Sequence, residues 1–178
     1  MRKRLIARAG EIDSTEAHAW LDLEHAALVE VTSESDEYPV EGALLPQSGR
    51  GWRAATAGTQ IIRLIFDEPQ TLRTIRLVFK EEREARTQEF LLRWLPRATR
   101  SWKEVVRQQW NFSPPDTVQE CEEYKIDLAS ALALELTINP DISRQGMRAS
   151  LEELRLAVGE KRTLDFAQGG SLRNCSNT

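Results

Sequence analysis

The strongest chemical signal in this sequence is a set of polar side chains in stretches that are rich in turn residues. Tyr38, Arg50 and Arg53 come from one long segment and its exit, Arg86 from a charged connection, and Arg144 from the segment before the last predicted strand. A tyrosine ring combined with arginine forks can hold a sugar or an anionic group. The alternative for each arginine is an ion pair with a neighbouring glutamate at the surface. We predict that these five residues bind a ligand.

Metal binding would need carboxylate and imidazole groups that converge, and two parts of the sequence offer some. His18 and His25 are seven residues apart, so a helix would place them on one face, and Asp22 or Glu24 could lend a third ligand. The long turn-rich segment adds acidic side chains whose oxygens suit a hard cation. They are Glu34, Asp36, Glu37 and Glu41. The plainer interpretation is surface histidines and a solvated loop, and we predict no metal site.

Motifs for catalysis or for a cofactor are missing from the sequence. It contains no glycine-rich phosphate loop, no Gly-x-Ser-x-Gly elbow and no His-Glu-x-x-His pair. Cys121 and Cys175 lie in no recognised nucleophile motif, and their separation along the chain argues against a structural disulfide. We therefore predict that the protein is not an enzyme and uses no cofactor.

Length and charge narrow the classes of partner. A chain of 178 residues is expected to form one domain with a full core. Its formal net charge of -4 argues against a general polyanion binder, although it allows a local basic patch. Arginines between residues 83 and 100 are interleaved with glutamates that cancel much of their charge. Nucleic-acid binding is therefore the less favoured interpretation.

The first residues have the basic start of a signal peptide but not its apolar core. Arg8 and Glu11 interrupt the apolar run that would have to follow. No other segment approaches the length of a membrane span. We expect a cytoplasmic location. The sequence contains no signal for the oligomeric state.

The N-terminal residues 1–27 are predicted to form an extension. Asp13 can cap a helix, and Glu16 completes a capping box with it. We expect a short helix here or, alternatively, a strand anchored by Trp20. At the other end of the chain, residues 159–178 become polar, which predicts a tail.

Between these ends, apolar residues recur with period two, which is typical of strands. The clearest case is the stretch from Gln60 to Phe66, which is apolar on both faces and predicts a central strand covered twice. Turn residues at Asp67–Gln70 and at Leu128–Ser130 predict chain reversals. The predicted strands are residues 28–32, 60–66, 72–80, 90–95, 102–112, 120–127, 132–138 and 151–158. Eight short strands of this kind predict a β-sandwich or barrel.

Seven stretches follow one another in an order that can be compared with known families. They are Val29–Ser33, Gly51-Trp52, Gln60–Phe66, Leu72–Leu77, Phe90–Trp94, Trp102–Glu104 and Ala149–Leu156. This order resembles the discoidin domain, the coagulation factor type C family among the galactose-binding-like jelly rolls, over about residues 28–158. The resemblance implies an all-β, antiparallel jelly-roll β-sandwich, here with a short N-terminal helical extension.

The resemblance also implies a function. Members of that family are mostly non-catalytic binding modules that use loops at one end of the sandwich to hold sugars, lipid head groups, protein partners or, in some relatives, DNA. It implies core packing for Trp52. The sequence departs from the family in two features. The bridged cysteine pair of many members is missing, and residues 42–46 lack the acidic residue that lies near a calcium site in many members. Our leading hypothesis is a module for carbohydrate or another small polar ligand, and the alternative is a cytoplasmic protein-interaction domain.

Overall fold

Alternating apolar residues form strands through most of the residues that the computed structural model describes, which are 20–45 and 47–159. The helices are α1, Leu23–Ala26, and α2, Glu41–Leu44. The strands are β1, Ala27–Val31; β2, Trp52–Ala57; β3, Gln60–Lys80; β4, Arg86–Pro96; β5, Lys103–Phe112; β6, Gln119–Asn139; β7, Arg148–Leu151; and β8, Glu153–Val158. The strand pairs are antiparallel, which confirms the predicted fold class. Within these residues, no helix has the length and apolar character that a membrane crossing requires.

Two long strands, β3 and β6, form a ribbon that runs through the whole fold. Each has 21 residues, and they pair with each other along nearly their entire length. The first half of β3 also pairs with β1, whereas the second half pairs with β8. The register between β3 and β6 shifts several times between Ile65 and Thr74. A ribbon whose halves have different neighbours contributes strands to two layers.

The predicted chain reversals at Asp67–Gln70 and Leu128–Ser130 are wrong, because both segments remain within continuous strands. Register shifts occur there instead, and Ser130 has a positive φ of 55°. Bulged residues let a paired ribbon bend without breaking its pairing. The bend leaves Asp67 and Glu68 exposed to solvent. A bulged bend therefore contains the same types of polar residue as a turn, which is why the sequence predicted turns here.

The bent ribbon joins the two layers of a sandwich. One layer has the order β1-β3-β6-β4-β5, and the other consists of β8 with the remaining halves of β3 and β6. Strands β2 and β7 form a separate two-stranded sheet. Five residues separate β3 from β4, and the start of β4 lies beside the end of β6. Both ends of the ribbon, and the loops next to them, consequently lie at one end of the sandwich.

The core lies between the two layers and consists of the inward-facing residues of the strands. The fully buried members include Ile62, Leu64, Ile75, Leu77, Phe79, Phe90, Leu92, Leu134, Leu136 and Ile138. The rings of Phe79 and Phe90 stack across the layers with their centroids 5.2 Å apart. On the other face of β3, Ile61 and Ile65 are only half-buried. The prediction that residues 60–66 are covered on both faces is therefore wrong, because no third layer lies over this sheet in the described chain.

Long polar side chains cover part of that outer face instead. Glu30, Arg63, Glu135 and Arg93 follow one another in register across β1, β3, β6 and β4. The Glu135 side chain is 1% exposed and accepts hydrogen bonds from Arg63 Nε at 3.0 Å and Arg93 Nε at 3.1 Å. Both guanidinium groups also lie against the ring of Trp102, at 5.7 and 5.6 Å. Burial alone would raise the pKa of Glu135, but the two arginines outweigh it and hold that pKa below its usual value.

A second polar network lies between β5 and the first half of β6. Gln108 Nε2 donates hydrogen bonds to Glu120 Oε1 at 3.3 Å and to Glu122 Oε1 at 2.9 Å, and it is oriented by the Tyr124 hydroxyl, which donates to Gln108 Oε1 at 2.6 Å. Glu120 is 1% exposed, and its Oε2 atom has no hydrogen-bond partner. Burial and, to a lesser extent, the charge of Glu122 raise the pKa of Glu120 to about 7. This carboxylate therefore has the opposite shift from Glu135.

The N-terminal extension is described from Trp20 onwards. Trp20 forms a bridge with β8, and the Leu21 N–H donates to a β8 carbonyl at 2.7 Å. The single turn of α1 follows and is capped by the Asp22 side chain. The structure thus contains both a strand-like bridge and a short helix where the sequence had left the two as alternatives. The predicted helix start at Asp13–Glu16 and residues 160–178 of the predicted tail lie outside the described residues.

We expect Glu135→Gln to lower the free energy of unfolding by about 1–3 kcal/mol, because Arg63 and Arg93 would lose the charge of a buried carboxylate. Urea unfolding at neutral pH measures this loss. Glu30→Gln is the matched control, since it removes the exposed carboxylate beside Arg63 and should cost less than about 1 kcal/mol. Equal losses for the two variants would contradict a special role for the buried carboxylate.

We expect stability to fall as the pH rises through about 7, because of Glu120. An unfolded glutamate has a pKa of about 4.3, so the folded state binds a proton that the unfolded chain releases. The stabilisation is fully present below about pH 4 and is lost as the pH rises through the folded pKa. Glu120→Gln should flatten this dependence and raise stability on the alkaline side.

Urea unfolding of both proteins across neutral pH measures the effect, with Glu68→Gln at the exposed bend as the control. The control should keep the wild-type pH dependence. If Glu120→Gln also kept it unchanged, the buried carboxylate would not be its cause.

Candidate functional site

An open groove of 550 Å³ lies at the loop end of the sandwich. Four segments contribute to its walls, Ser35–Tyr38, Arg50–Ala54, Lys80–Arg86 and Gly146–Glu152. The first two belong to the turn-rich segment, the third joins the two layers, and the last contains β7. Four of the five predicted ligand-binding residues, Tyr38, Arg50, Arg53 and Arg86, line this groove. Their contact with a ligand stays a prediction.

The first wall of the groove is held by a buried tryptophan and by backbone pairing. Trp52 is 0% exposed, as the resemblance implied, and its indole Nε1 donates to the Ser33 carbonyl at 3.2 Å. The Arg53 N–H donates to the Tyr38 carbonyl at 3.1 Å, and the Ser35 N–H donates to the Arg53 carbonyl at 2.9 Å. These bonds place Tyr38 and Arg53 side by side.

Two glycines allow the rim of this wall to fold tightly. A Cβ atom on Gly42 would lie 2.2 Å from the carbonyl oxygen of Gly51, which no real side chain could tolerate. Gly51 itself has a φ of 67°, in the region that favours glycine. Residues 42–46 lack the acidic residue that lies near a calcium site in the discoidin family. Within the same loop, Glu34 Oε2 accepts a hydrogen bond from the Val40 N–H at 2.9 Å.

Tyr38 and Arg53 form the aromatic and cationic part of the groove. The guanidinium carbon of Arg53 lies 4.6 Å from the centre of the Tyr38 ring, within the range of a cation–π contact. Tyr38 is half-buried, whereas Arg53 and Arg50 are exposed. In the described part of the chain, no carboxylate forms an ion pair with either arginine. The stacking contact limits the orientations of the Arg53 side chain, and its N–H donors remain exposed to the solvent in the groove.

Arg86 forms part of the floor and not of the exposed wall. Its side chain is 1% exposed, and its guanidinium donates to the Arg148 carbonyl at 3.1 Å and to Ser150 Oγ at 3.4 Å. Its Nε lies 3.4 Å from Glu81 Oε2, and Phe112 lies beneath it at 5.7 Å. Burial is the main cause that lowers the pKa of Arg86. These contacts join β4 to β7, so Arg86 acts as a positioning residue for the groove.

The predicted boundary between the charged connection and the next strand is wrong, because Arg86 already belongs to the strand. The charged composition of residues 81–88 predicted a connection, but β4 already begins at Arg86. Arg86 points inwards in phase with the buried Gln88 and Phe90. A charged side chain can take such an inward position here because backbone and hydroxyl oxygens accept hydrogen bonds from its terminal nitrogens and the Glu81 carboxylate lies 3.4 Å from its Nε.

Arg144 lies in a neighbouring groove and not in the first one. This second groove has a volume of 590 Å³ and meets the first at Gly146. Arg144 Nε donates to Asp141 Oδ2 at 2.9 Å, and a terminal nitrogen donates to the Ala85 carbonyl at 2.6 Å. Burial would raise the pKa of Asp141, but hydrogen bonds from Ser143 and then Arg144 bring it to about 2. Arg144 therefore fastens one loop to the other.

The groove also contains charged residues that the sequence analysis did not include among the five predicted ligand-binding residues. They are Glu37, Lys80, Glu81, Glu82, Arg83, Glu84, Arg148 and Glu152. Lys80 and Arg148 stand at the end of β3 and the start of β7, where a side chain next to a loop can reach a ligand. Position at the loop end of a predicted strand is the one signal that could have indicated them.

The candidate metal ligands occupy different places. His18 lies outside the described residues. His25 Nδ1 lies 2.9 Å from Asp22 Oδ2, and that hydrogen bond raises the pKa of His25. Both residues and Glu24 are exposed beside α1, at the end of the sandwich opposite the groove. Exposed groups of this kind are common without a bound ion.

Comparisons with known proteins support the fold. No protein-family model and no curated protein sequence matches the chain. Among solved structures, it is similar to the CBM32-3 module of a family 31 glycoside hydrolase from Clostridium perfringens, with 18% identity, a TM-score of 0.57, and coverage of 79% of this chain and 95% of the module.

Two further structures were solved with sugars bound. A CBM32 module from Clostridium perfringens in complex with GalNAc-β-1,3-galactose has 13% identity and a TM-score of 0.59, and the match covers 79% of this chain and all of that one. The CBM32 of AlyQ in complex with 4,5-unsaturated mannuronic acid has 16% identity and a TM-score of 0.55, with coverage of 78% and 98%. At these identities the similarity establishes the fold. This chain therefore has the discoidin-like jelly-roll fold of those modules.

Proposed function

We propose that the protein is a non-catalytic module that binds carbohydrate in the 550 Å³ groove at its loop end. The observation that carries this proposal is the exposed Arg53 stacked on the Tyr38 ring in an open, polar groove. A sugar ring presents apolar C–H faces and many hydroxyl groups. The planar N–H donors of Arg53 suit the hydroxyl groups, and the exposed part of the half-buried Tyr38 ring suits the apolar C–H groups.

The fold adds a second line of support. Modules of similar structure have been solved with a neutral disaccharide and with an uronic acid, so the same scaffold can hold both classes of sugar. The rigid core beneath the groove also fits a binding role, because loops on a fixed scaffold can present a ligand site without further ordering. The predicted cytoplasmic location stays a prediction.

We expect Tyr38→Ala to weaken glycan binding by about tenfold or more, because the ring face and the support of Arg53 would both be lost. A glycan array identifies the ligand, and isothermal titration then measures the affinity of each variant. Tyr38→Phe is the matched control, since it keeps the ring and should keep most of the affinity.

Thermal unfolding of each variant separates binding from folding. Tyr38 is not part of the buried core, so both variants should unfold close to the wild-type temperature. An unchanged affinity in Tyr38→Ala would remove this groove as the site. A glycan array without signal, together with a protein partner recovered by pull-down, would overturn the proposal in favour of the protein-interaction alternative.

A further inference from the structure

The groove contains cationic side chains that form no ion pair with a described residue. Six basic residues line it, together with five acidic ones. Two of the basic residues are committed to acids, since Lys80 Nζ lies 2.9 Å from Glu82 and Arg86 Nε lies 3.4 Å from Glu81. The other four form no ion pair within residues 20–45 and 47–159. They are Arg50, Arg53, Arg83 and Arg148.

Arg53 is fixed on the Tyr38 ring, and Arg86 lies in the floor of the same groove. Burial lowers the pKa of Arg86, and the nearby carboxylates of Glu81, Asp141 and Glu84 oppose that shift. The charge of Arg53 is the smallest of these effects. A ligand anion would therefore meet Arg53, which forms no ion pair with a described residue, and not the buried Arg86.

The acidic residues of the groove limit how much negative charge a ligand can carry. Glu37, Glu84 and Glu152 form no ion pair with another described residue either. The lining as a whole therefore has one more basic than acidic side chain, in a protein whose formal net charge is -4. This balance suits a ligand with isolated negative charges and is unfavourable for a densely charged polyanion.

Planar arginine forks match the geometry of a carboxylate, which accepts two parallel N–H bonds. We propose that the groove selects saccharides that contain uronic acids over neutral saccharides, with Arg50 and Arg53 as the specificity-determining residues. The inference rests on the proposed carbohydrate-binding function and adds the class of sugar. A carboxylate on the sugar ring would meet the N–H donors of Arg53, whose guanidinium is supported by the Tyr38 ring.

The test compares sugars that differ only in charge. The probes are trisaccharides of galacturonic, glucuronic and mannuronic acid, each as the free acid and as its neutral methyl ester, measured by isothermal titration at low salt. At least one acid should bind about tenfold or more tightly than its own ester, as expected for a charge-assisted bidentate contact. The advantage should shrink as the ionic strength rises from about 0.01 M to about 1 M, because salt screens exposed charges.

Substitutions then assign the effect to residues. The Arg50→Gln/Arg53→Gln double variant should lose most of the preference for the acid, because it weakens binding of the acid much more than binding of the ester. Arg97→Gln is the matched control, because Arg97 is exposed at the opposite end of the sandwich and should leave the preference unchanged.

The possible failures are distinguishable. If acids and esters bind equally, or if a glycan array shows binding to neutral sugars only, the uronic-acid inference is overturned and the carbohydrate-binding proposal stands. If the double variant keeps the full preference for the acid, the assignment to Arg50 and Arg53 is overturned. If neither these probes nor any glycan on the array binds, the proposed function itself fails and the inference fails with it.

Discussion

The structure depends on one bent ribbon, the pair of β3 and β6, which is part of both layers of the sandwich. Its inward side chains supply a large part of the core, so the hydrophobic effect that closes the sandwich acts on the same strands that join the layers. If the ribbon did not bend near Ile65 to Thr74, β1 and β8 would extend one sheet and would not cover each other. Both ends of the ribbon would then be far apart, and the loops that surround the groove would not meet.

The sandwich also shows how surroundings decide the state of a buried carboxylate. Glu135 and Glu120 lie on the same strand and are both almost completely buried. Glu135 lies between two arginines, so its charged form is favoured in spite of its burial. Glu120 has one amide donor and a second carboxylate beside it, so its neutral form is favoured. Charge compensation, and not depth of burial, therefore separates the two.

The same distinction applies to the arginines at the loop end. Arg86 and Arg144 use their donors on protein oxygens and thereby fix the positions of β4, β7 and the loops beside them. Arg50 and Arg53 make no such contacts in the described chain and are exposed to solvent in the groove. The site is thus built from two groups of the same residue type. One group keeps the scaffold rigid, and the other can interact with a ligand.

Part of the candidate site could be predicted from residue types. Turn-rich segments indicated Tyr38, Arg50 and Arg53, and the structure brings them together because their segment folds back on itself. Lys80 and Arg148 were not indicated, because a strand end is not chemically different from other polar positions until the neighbouring loop is known. Arg144 was predicted from the same kind of turn-rich segment, but the structure places it in the second groove.

The alternation of apolar residues is a local property, so the sequence by itself determined the all-β class. The order of its motifs, through the resemblance to the discoidin family, implied the antiparallel jelly-roll sandwich and the burial of Trp52. Only the tertiary structure decided that β3 and β6 continue through their bends and that Arg86 points inwards. A bulge and a turn contain the same kinds of residue, so the difference between them lies in the pairing partner. Likewise, an arginine side chain either bonds to the protein itself or can bond to a ligand. Which of the two occurs depends on the oxygens that distant parts of the chain bring within hydrogen-bonding distance.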